Sequence, residues 1–104
     1  MKRIILLTAF LLCSVTAFSQ NAVVHINAEF NKSNDWYGLN ALSDTKVYNG
    51  YLETNPAMKE RYKITKVPTL IIYADGVEVK RFEASLDMKL HVTTKEIQQI
   101  IDEL

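Results

Sequence analysis

The sequence has few of the residues that cross-link a small domain or interrupt its helices and strands: one cysteine, two prolines and three glycines in 104 residues. One cysteine forms no internal disulfide and completes no metal site by itself. So few prolines and glycines exclude a collagen-like or low-complexity chain. Basic and acidic residues balance at twelve each, which argues against nucleic-acid binding through a cationic excess. What remains, with 48% hydrophobic residues, suits one small globular domain.

Residues 1–19 have the pattern of an export signal. A charged start, an apolar run and a small-residue exit follow one another as Lys2-Arg3, residues 4–13 and Ala17-Phe18-Ser19. The apolar run is shorter than the roughly 20 residues of a membrane span. We therefore expect cleavage before Gln20, a periplasmic or secreted location, and a domain at residues 20–104, with an uncleaved anchor as the alternative.

The only cysteine, Cys13, lies in this leader. Cleavage before Gln20 would leave an exported domain with no thiol, which closes nucleophilic cysteine chemistry, disulfide exchange and thiolate metal ligation to it. Such a domain has to be held together by one packed core.

Hydrophobic periodicity over residues 20–104 predicts alternating strands and helices. Strands are expected at 22–27, 46–53, 67–73 and 77–82. Helices are expected from Ser33 or Asn34 to Leu42, from Asn55-Pro56 to Lys63, and after a cap at Thr93 or Thr94. The dipeptide Asp75-Gly76 predicts a hairpin between the last two strands. The last helix should bury a stripe formed by Ile97, Ile100, Ile101 and Leu104.

Four short motifs, in this order, resemble the thioredoxin family. They are Ala28-Glu29-Phe30 before a polar turn, Asn55-Pro56, Val67-Pro68-Thr69 leading an apolar strand, and Asp75-Gly76. The resemblance implies an α/β fold, a three-layer thioredoxin-like sandwich of minimal β-α-β-α-β-β-α order with a mixed central sheet. The extra amino-terminal strand and helix of full thioredoxins are missing from the pattern.

The resemblance also implies where a redox site would lie. The family's C-x-x-C turn aligns with Asn31-Lys32-Ser33-Asn34, so asparagine stands at both sulfur positions. The family's buried acid aligns with His25, its tryptophan with Asn27, and a basic residue of the next strand with about Asn49. We therefore expect a vestigial turn, no catalytic residue, no enzyme activity and no cofactor.

The proline loop is the family feature that survives. In relatives the proline bond is cis, and the backbone of the preceding residue pairs with an extended peptide by strand addition. The resemblance therefore implies a cis bond and a peptide-binding role at Val67, Pro68 and Thr69. The alternative is that Pro68 only shapes the entrance to a buried strand.

Other candidate residues favour structural interpretations. His25 lies within an apolar strand, where a core histidine bonded to a neighbouring carbonyl is expected rather than a ligand or base. No H-x-x-x-H spacing supports a metal site at His91. The polar turn could hold an anion, but helix capping is favoured. Of the aromatic residues near that turn, only one or two are expected to be exposed: Phe30, Trp36, Tyr37, Tyr48 and Tyr51.

The resulting hypothesis is an exported thioredoxin-like monomer without thiol redox activity that binds a peptide or an envelope protein, with no nucleic-acid or membrane partner beyond the signal sequence. The first alternative is a thiol-disulfide oxidoreductase that uses cysteines from a partner or a retained Cys13. The second is a degenerate domain that only stabilises a larger envelope complex.

Overall fold

The computed structural model describes residues 20–104, and the predicted signal sequence with Cys13 lies outside them. The described chain runs β1 (Asn21–Asn27), a 3-10 helix (Glu29–Asn34), a second 3-10 helix (Leu39–Ala41), β2 (Lys46–Tyr51), α1 (Ala57–Arg61), β3 (Thr69–Ala74), β4 (Val77–Glu83) and α2 (Thr94–Asp102). Within residues 20–104 no helix is both long and apolar enough to cross a membrane.

The four strands form one mixed sheet in the order β2-β1-β3-β4. β1 pairs parallel with β2 and antiparallel with β3, and β3 pairs antiparallel with β4. The predicted hairpin at Asp75-Gly76 is confirmed: both residues have positive φ, 52° and 83°, which suits the two-residue turns that join twisted antiparallel strands. The α/β fold with a mixed central sheet is therefore as predicted.

Apolar side chains cover both faces of the sheet. On one face Leu70 and Ile72 pack with Ile97 and Ile101 of α2. On the other face Ile26 and Ile71 belong to a second apolar cluster. Partly buried residues near α1 also pack against this cluster. Strand alternation sends successive side chains to opposite faces, so the central strands β1 and β3 contribute to both clusters.

The last helix forms as predicted, and its cap is Thr93. The Thr93 hydroxyl accepts from the Glu96 amide at 3.1 Å, and the Glu96 carboxylate accepts from the Thr93 amide at 3.0 Å. This reciprocal pair is a capping box, which satisfies two otherwise free amides at the start of the helix. The predicted stripe is buried at Ile97 and Ile101, whereas Leu104 is exposed.

The predicted helix from residue 33 or 34 to Leu42 is wrong. Two short 3-10 helices replace it, and Asp35 between them has extended backbone with ψ 144°. The polar side chains do not cap an α-helix, because they bond to one another and to β1. Trp36, Leu39 and Leu42 still meet in one core cluster, so the predicted contact is correct although the element is not.

Candidate functional site

The polar turn follows β1 directly and lies in the first 3-10 helix, Glu29–Asn34. Its four residues differ in exposure: Asn31 is 5% exposed, Asn34 is half-buried, and Lys32 and Ser33 are exposed. The two positions that match the family's sulfur atoms therefore point into a protected environment. Only Lys32 and Ser33 give the turn an open surface.

The Asn31 side-chain amide is fully used inside the protein. Its Nδ2 donates to Asn27 Oδ1 at 3.1 Å and to the Met88 carbonyl at 3.0 Å. Its Oδ1 accepts from Asn34 Nδ2 at 2.7 Å. Both amide hydrogens have partners, so this side chain fastens the turn to the segment around Met88 instead of reaching a ligand.

A second set of bonds ties the turn to β2. Asn27 Nδ2 donates to the Asn31 carbonyl at 3.0 Å and to Asp35 Oδ1 at 2.7 Å. The Tyr51 hydroxyl donates to the other Asp35 oxygen, and this bond raises the pKa of Tyr51 to about 12. The Lys32 ammonium lies 5.8 Å from the Tyr51 ring centroid, a cation–π distance. The turn is thus fixed by neutral amides and one carboxylate.

His25 lies beneath the turn and is fully buried. Its Nε2 accepts from the Trp36 backbone amide at 3.3 Å, and its Nδ1 lies 2.7 Å from Asn49 Oδ1. A neutral ring that accepts at Nε2 carries its proton on Nδ1, from which it donates to Asn49. Burial lowers the pKa of His25. The histidine is a core residue as expected; its carbonyl partner is the side-chain amide of Asn49, and the Trp36 backbone N–H is a second partner.

The proline loop lies at the start of β3, and its Val67–Pro68 peptide bond is cis. The loop is held from two sides: the Thr69 hydroxyl donates to the Lys66 carbonyl at 2.6 Å, and the Ala84 amide donates to the Pro68 carbonyl at 3.1 Å. Within residues 20–104 neither the N–H nor the C=O of Val67 has a hydrogen-bond partner. Backbone N–H and C=O groups are strong hydrogen-bonding groups, so the half-buried Val67 has unused pairing capacity.

Val67 lines a cleft of about 480 Å³. The segment after β4 also lines this cleft, through Leu86 and Met88 among others, and Leu86 is completely exposed. Met88 links the polar turn to the proline loop. Its carbonyl accepts a hydrogen bond from Asn31 at 3.0 Å, and Met88 lines the cleft together with Val67. The turn and the proline loop are thus joined through a third segment, residues 85–88, and not by a direct hydrogen bond.

The residues of this third segment could not be identified as site residues from the sequence. Leu86 and Met88 follow no helical or strand period, and only their place after β4 could have drawn attention to them. The sequence also gives no sign that Asp35 and Tyr51, 16 residues apart, meet at the turn. Three aromatic residues, instead of one or two, are exposed: Phe30 at 73%, Tyr37 at 78% and Tyr48 at 53%.

His91 pairs with Asp87 on the surface, at 2.6 Å between Nε2 and Oδ2. Among residues 20–104 no group of three or more histidine, cysteine or acidic side chains is arranged to hold a metal ion.

No family model matches this sequence, and no curated protein is significantly similar to it. Several solved structures share its fold. A mutant thioredoxin from Halobacterium salinarum NRC-1 aligns with a TM-score of 0.64 and 18% identity, over 88% of this chain and 80% of that one. The thioredoxin-2 described as a component of malaria parasite protein secretion machinery aligns at 0.60 with 11% identity, over 82% and 84%. Mitochondrial thioredoxin 3 from Saccharomyces cerevisiae aligns at 0.55 with 13% identity, over 83% and 80%.

These similarities define the fold class. The chain has a thioredoxin-like fold, with the four-stranded mixed sheet and flanking helices described above. Identities this low establish the architecture alone, because one fold can carry many functions. The function of this chain depends on its own turn, proline loop and cleft.

Proposed function

We propose that this protein is an exported thioredoxin-like domain without thiol redox activity, and that it binds an extended peptide segment of a partner protein. Binding would use the Val67-Pro68-Thr69 loop and the cleft beside it. The turn Asn31 to Asn34 would support the cleft and present Lys32 and Ser33 at its margin.

The proposal of redox inactivity is supported by the chemistry of the turn. Disulfide exchange needs a thiolate that attacks a sulfur atom and a second thiol that resolves the mixed disulfide. Asn31 and Asn34 have side-chain amides, which form no such covalent intermediate. Their amides are also engaged with each other, since Asn34 Nδ2 donates to Asn31 Oδ1 at 2.7 Å. The neutral His25 below them has a backbone and an amide partner rather than a thiol.

The observation that carries the binding proposal is the unused backbone of Val67. The N–H and C=O of Val67 lack partners within the described chain, and Val67 lines an open cleft. A peptide in extended conformation can pair the C=O and N–H of one of its residues with the N–H and C=O of Val67. This mode of binding is strand addition. Leu86 and Met88, which also line the cleft, would then contact an apolar side chain of the same peptide.

A thiol-free unfolded polypeptide tests this proposal. The probe is fluorescently labelled α-lactalbumin whose cysteines have been reduced and carboxymethylated, and binding is measured by fluorescence anisotropy. We expect saturable binding that Leu86→Asp weakens at least about tenfold, since a charge would enter an apolar contact. Leu86 is completely exposed, so its replacement should leave the fold intact.

Val77→Asp is the matched control, because Val77 is also an exposed apolar residue, 64% exposed, at the start of β4. Its binding should equal that of the unmodified protein. Absence of binding, or equal loss in both variants, would contradict the proposed role and favour a domain that only stabilises a larger assembly.

The rival oxidoreductase function is tested on the same preparation. The mass of the purified protein shows whether Cys13 is retained, and insulin reduction with dithiothreitol measures turnover. We expect no acceleration over dithiothreitol alone. Acceleration that disappears in Cys13→Ser would assign the activity to the retained thiol and refute redox inactivity.

A further inference from the structure

The two edges of the sheet are unequally protected. β4 has four charged residues among its seven, Glu78, Lys80, Arg81 and Glu83, and its pairing with β3 shifts register between Ile72 and Tyr73. Charges and irregular register are the devices that keep edge strands from pairing with other chains. β4 is therefore a blocked edge.

β2 has neither device. It contains one charged residue, Lys46, and it pairs with β1 in an uninterrupted register from Ala22↔Lys46 to Asn27↔Tyr51. Two apolar side chains of the strand are open to solvent: Val47 is 38% exposed and Tyr48 is 53% exposed. Regular, exposed and nearly uncharged edge strands readily accept another strand.

The hydrogen-bonding groups of β2 can be assigned to its two sides. The Leu52 amide donates to the Asn27 carbonyl of β1 at 3.0 Å. Because backbone groups alternate sides along a strand, residues of even number face β1. The N–H and C=O of Val47 and Asn49 therefore face outward. Within residues 20–104 no strand pairs with this side.

We propose that a second copy of this chain adds its β2 to this edge, antiparallel and related by a two-fold axis at Val47. The register pairs Val47 with Val47 of the other copy and Thr45 with its Asn49. It also sets Lys46 opposite Tyr48 of the other copy, twice by symmetry. The lysine thus meets an aromatic ring and not another lysine, which is a favourable cross-strand contact.

The second copy is the occupant because the edge is complementary to itself. The outward groups lie symmetrically around Val47, so one five-residue segment supplies every partner that an identical segment needs, as isologous pairing requires. Residues 20–104 contain ten basic and twelve acidic residues, a formal net charge of −2, which adds little long-range repulsion between copies. A monomer was expected from the sequence, and this edge is the reason to revise that expectation. It is independent of peptide binding, since the cleft is lined by the loop before β3 and the segment after β4.

Sedimentation velocity over a wide concentration range tests the dimer. The full gene product is expressed, and the form that accumulates is purified and its mass recorded. We compare it with Val47→Lys, which places a charge at the axis, and with Val77→Lys on the blocked edge as the matched control. The unmodified protein and Val77→Lys should dimerise reversibly, and Val47→Lys should weaken the dimer at least about tenfold.

Amide hydrogen exchange of the unmodified protein gives a second readout that needs no variant. The Val47 and Asn49 amides should exchange fast in dilute solution and slowly at high concentration. A monomer at every concentration would overturn the proposal, and so would a dimer that Val47→Lys leaves unchanged. Slow exchange at these two amides that does not depend on concentration would also overturn it, by showing that another part of the same chain covers β2.

Discussion

Acidification should destabilise this protein through one buried side chain, His25. The neutral ring accepts from the Trp36 amide at Nε2 and donates from Nδ1 to Asn49. Protonation would put a hydrogen on Nε2, facing the Trp36 N–H at 3.3 Å. Burial opposes that charge and lowers the pKa of His25, although the nearby Asp35 carboxylate and the Asn49 bond act in the other direction.

The sign and the size of the effect follow from proton linkage. In the unfolded chain the histidine has a pKa of about 6.5, and in the folded chain its pKa is lower. Below about pH 6.5 the unfolded state therefore binds more protons than the folded state. As the pH is lowered, the free energy of unfolding decreases until the folded pKa is reached. Between about pH 7.5 and 5.5 the loss is at most about 1.4 kcal/mol, since one pH unit corresponds to about 1.36 kcal/mol.

Urea unfolding followed by tryptophan fluorescence measures this loss at several pH values. The slope of the unfolding free energy against pH should vanish in His25→Gln and remain in His91→Gln, which changes the exposed histidine paired with Asp87. The absolute stability of His25→Gln does not enter, because only its slope is compared. A slope that survives in His25→Gln, or that is absent in the unmodified protein, would refute the assignment of this pH dependence to the buried His25.

Three further predictions concern stability. Asn31→Ala should lower the free energy of unfolding in urea by about 1–3 kcal/mol, because the buried partners of its amide lose their hydrogen bonds. Ser33→Ala, on the exposed surface of the turn, should lower it by less than about 0.5 kcal/mol. Equal losses in the two variants would contradict a structural role for Asn31. Ile97→Ala should cost about 2–5 kcal/mol because Ile97 is fully buried, and thermal melting against Leu104→Ala, a change at a half-exposed site, checks it. Gly38→Ala should cost about 1–3 kcal/mol, since a Cβ there would lie 2.4 Å from the Thr94 hydroxyl and 2.5 Å from the Trp36 ring; a melting temperature unchanged by this substitution would show that the contact is looser than described.

Most of the fold could be predicted because its signals are local. The Asp75-Gly76 turn and the cap at Thr93 each depend on a few neighbouring residues and are found where expected. The apolar strand before that turn, predicted at 67–73, lies at Thr69–Ala74. The helix after the turn failed for a tertiary reason. The polar residues of the turn predict a helix cap, but Asn31 bonds to Asn27 and Met88 instead. Asp35 bonds to Asn27 and Tyr51, and Asn34 bonds to Asn31. Of these partners, Met88 and Tyr51 are distant along the chain.

The candidate site could be predicted only in part for the same reason. The turn and the proline loop have sequence motifs, so they could be named before the structure was described. The segment 85–88 has none, and its position depends on a long-range bond from Asn31 to Met88. The exposure of Leu86 and the unused backbone of Val67 are properties of the folded chain, which no periodicity encodes.

The exchange rate of one amide tests the binding account most directly. Hydrogen exchange at Val67 is measured by NMR in the free protein and with saturating carboxymethylated α-lactalbumin. We expect fast exchange in the free protein, because the Val67 N–H has no partner in the described chain, and marked slowing in the complex, because strand addition supplies one. Bound polypeptide that leaves the Val67 rate unchanged would contradict it.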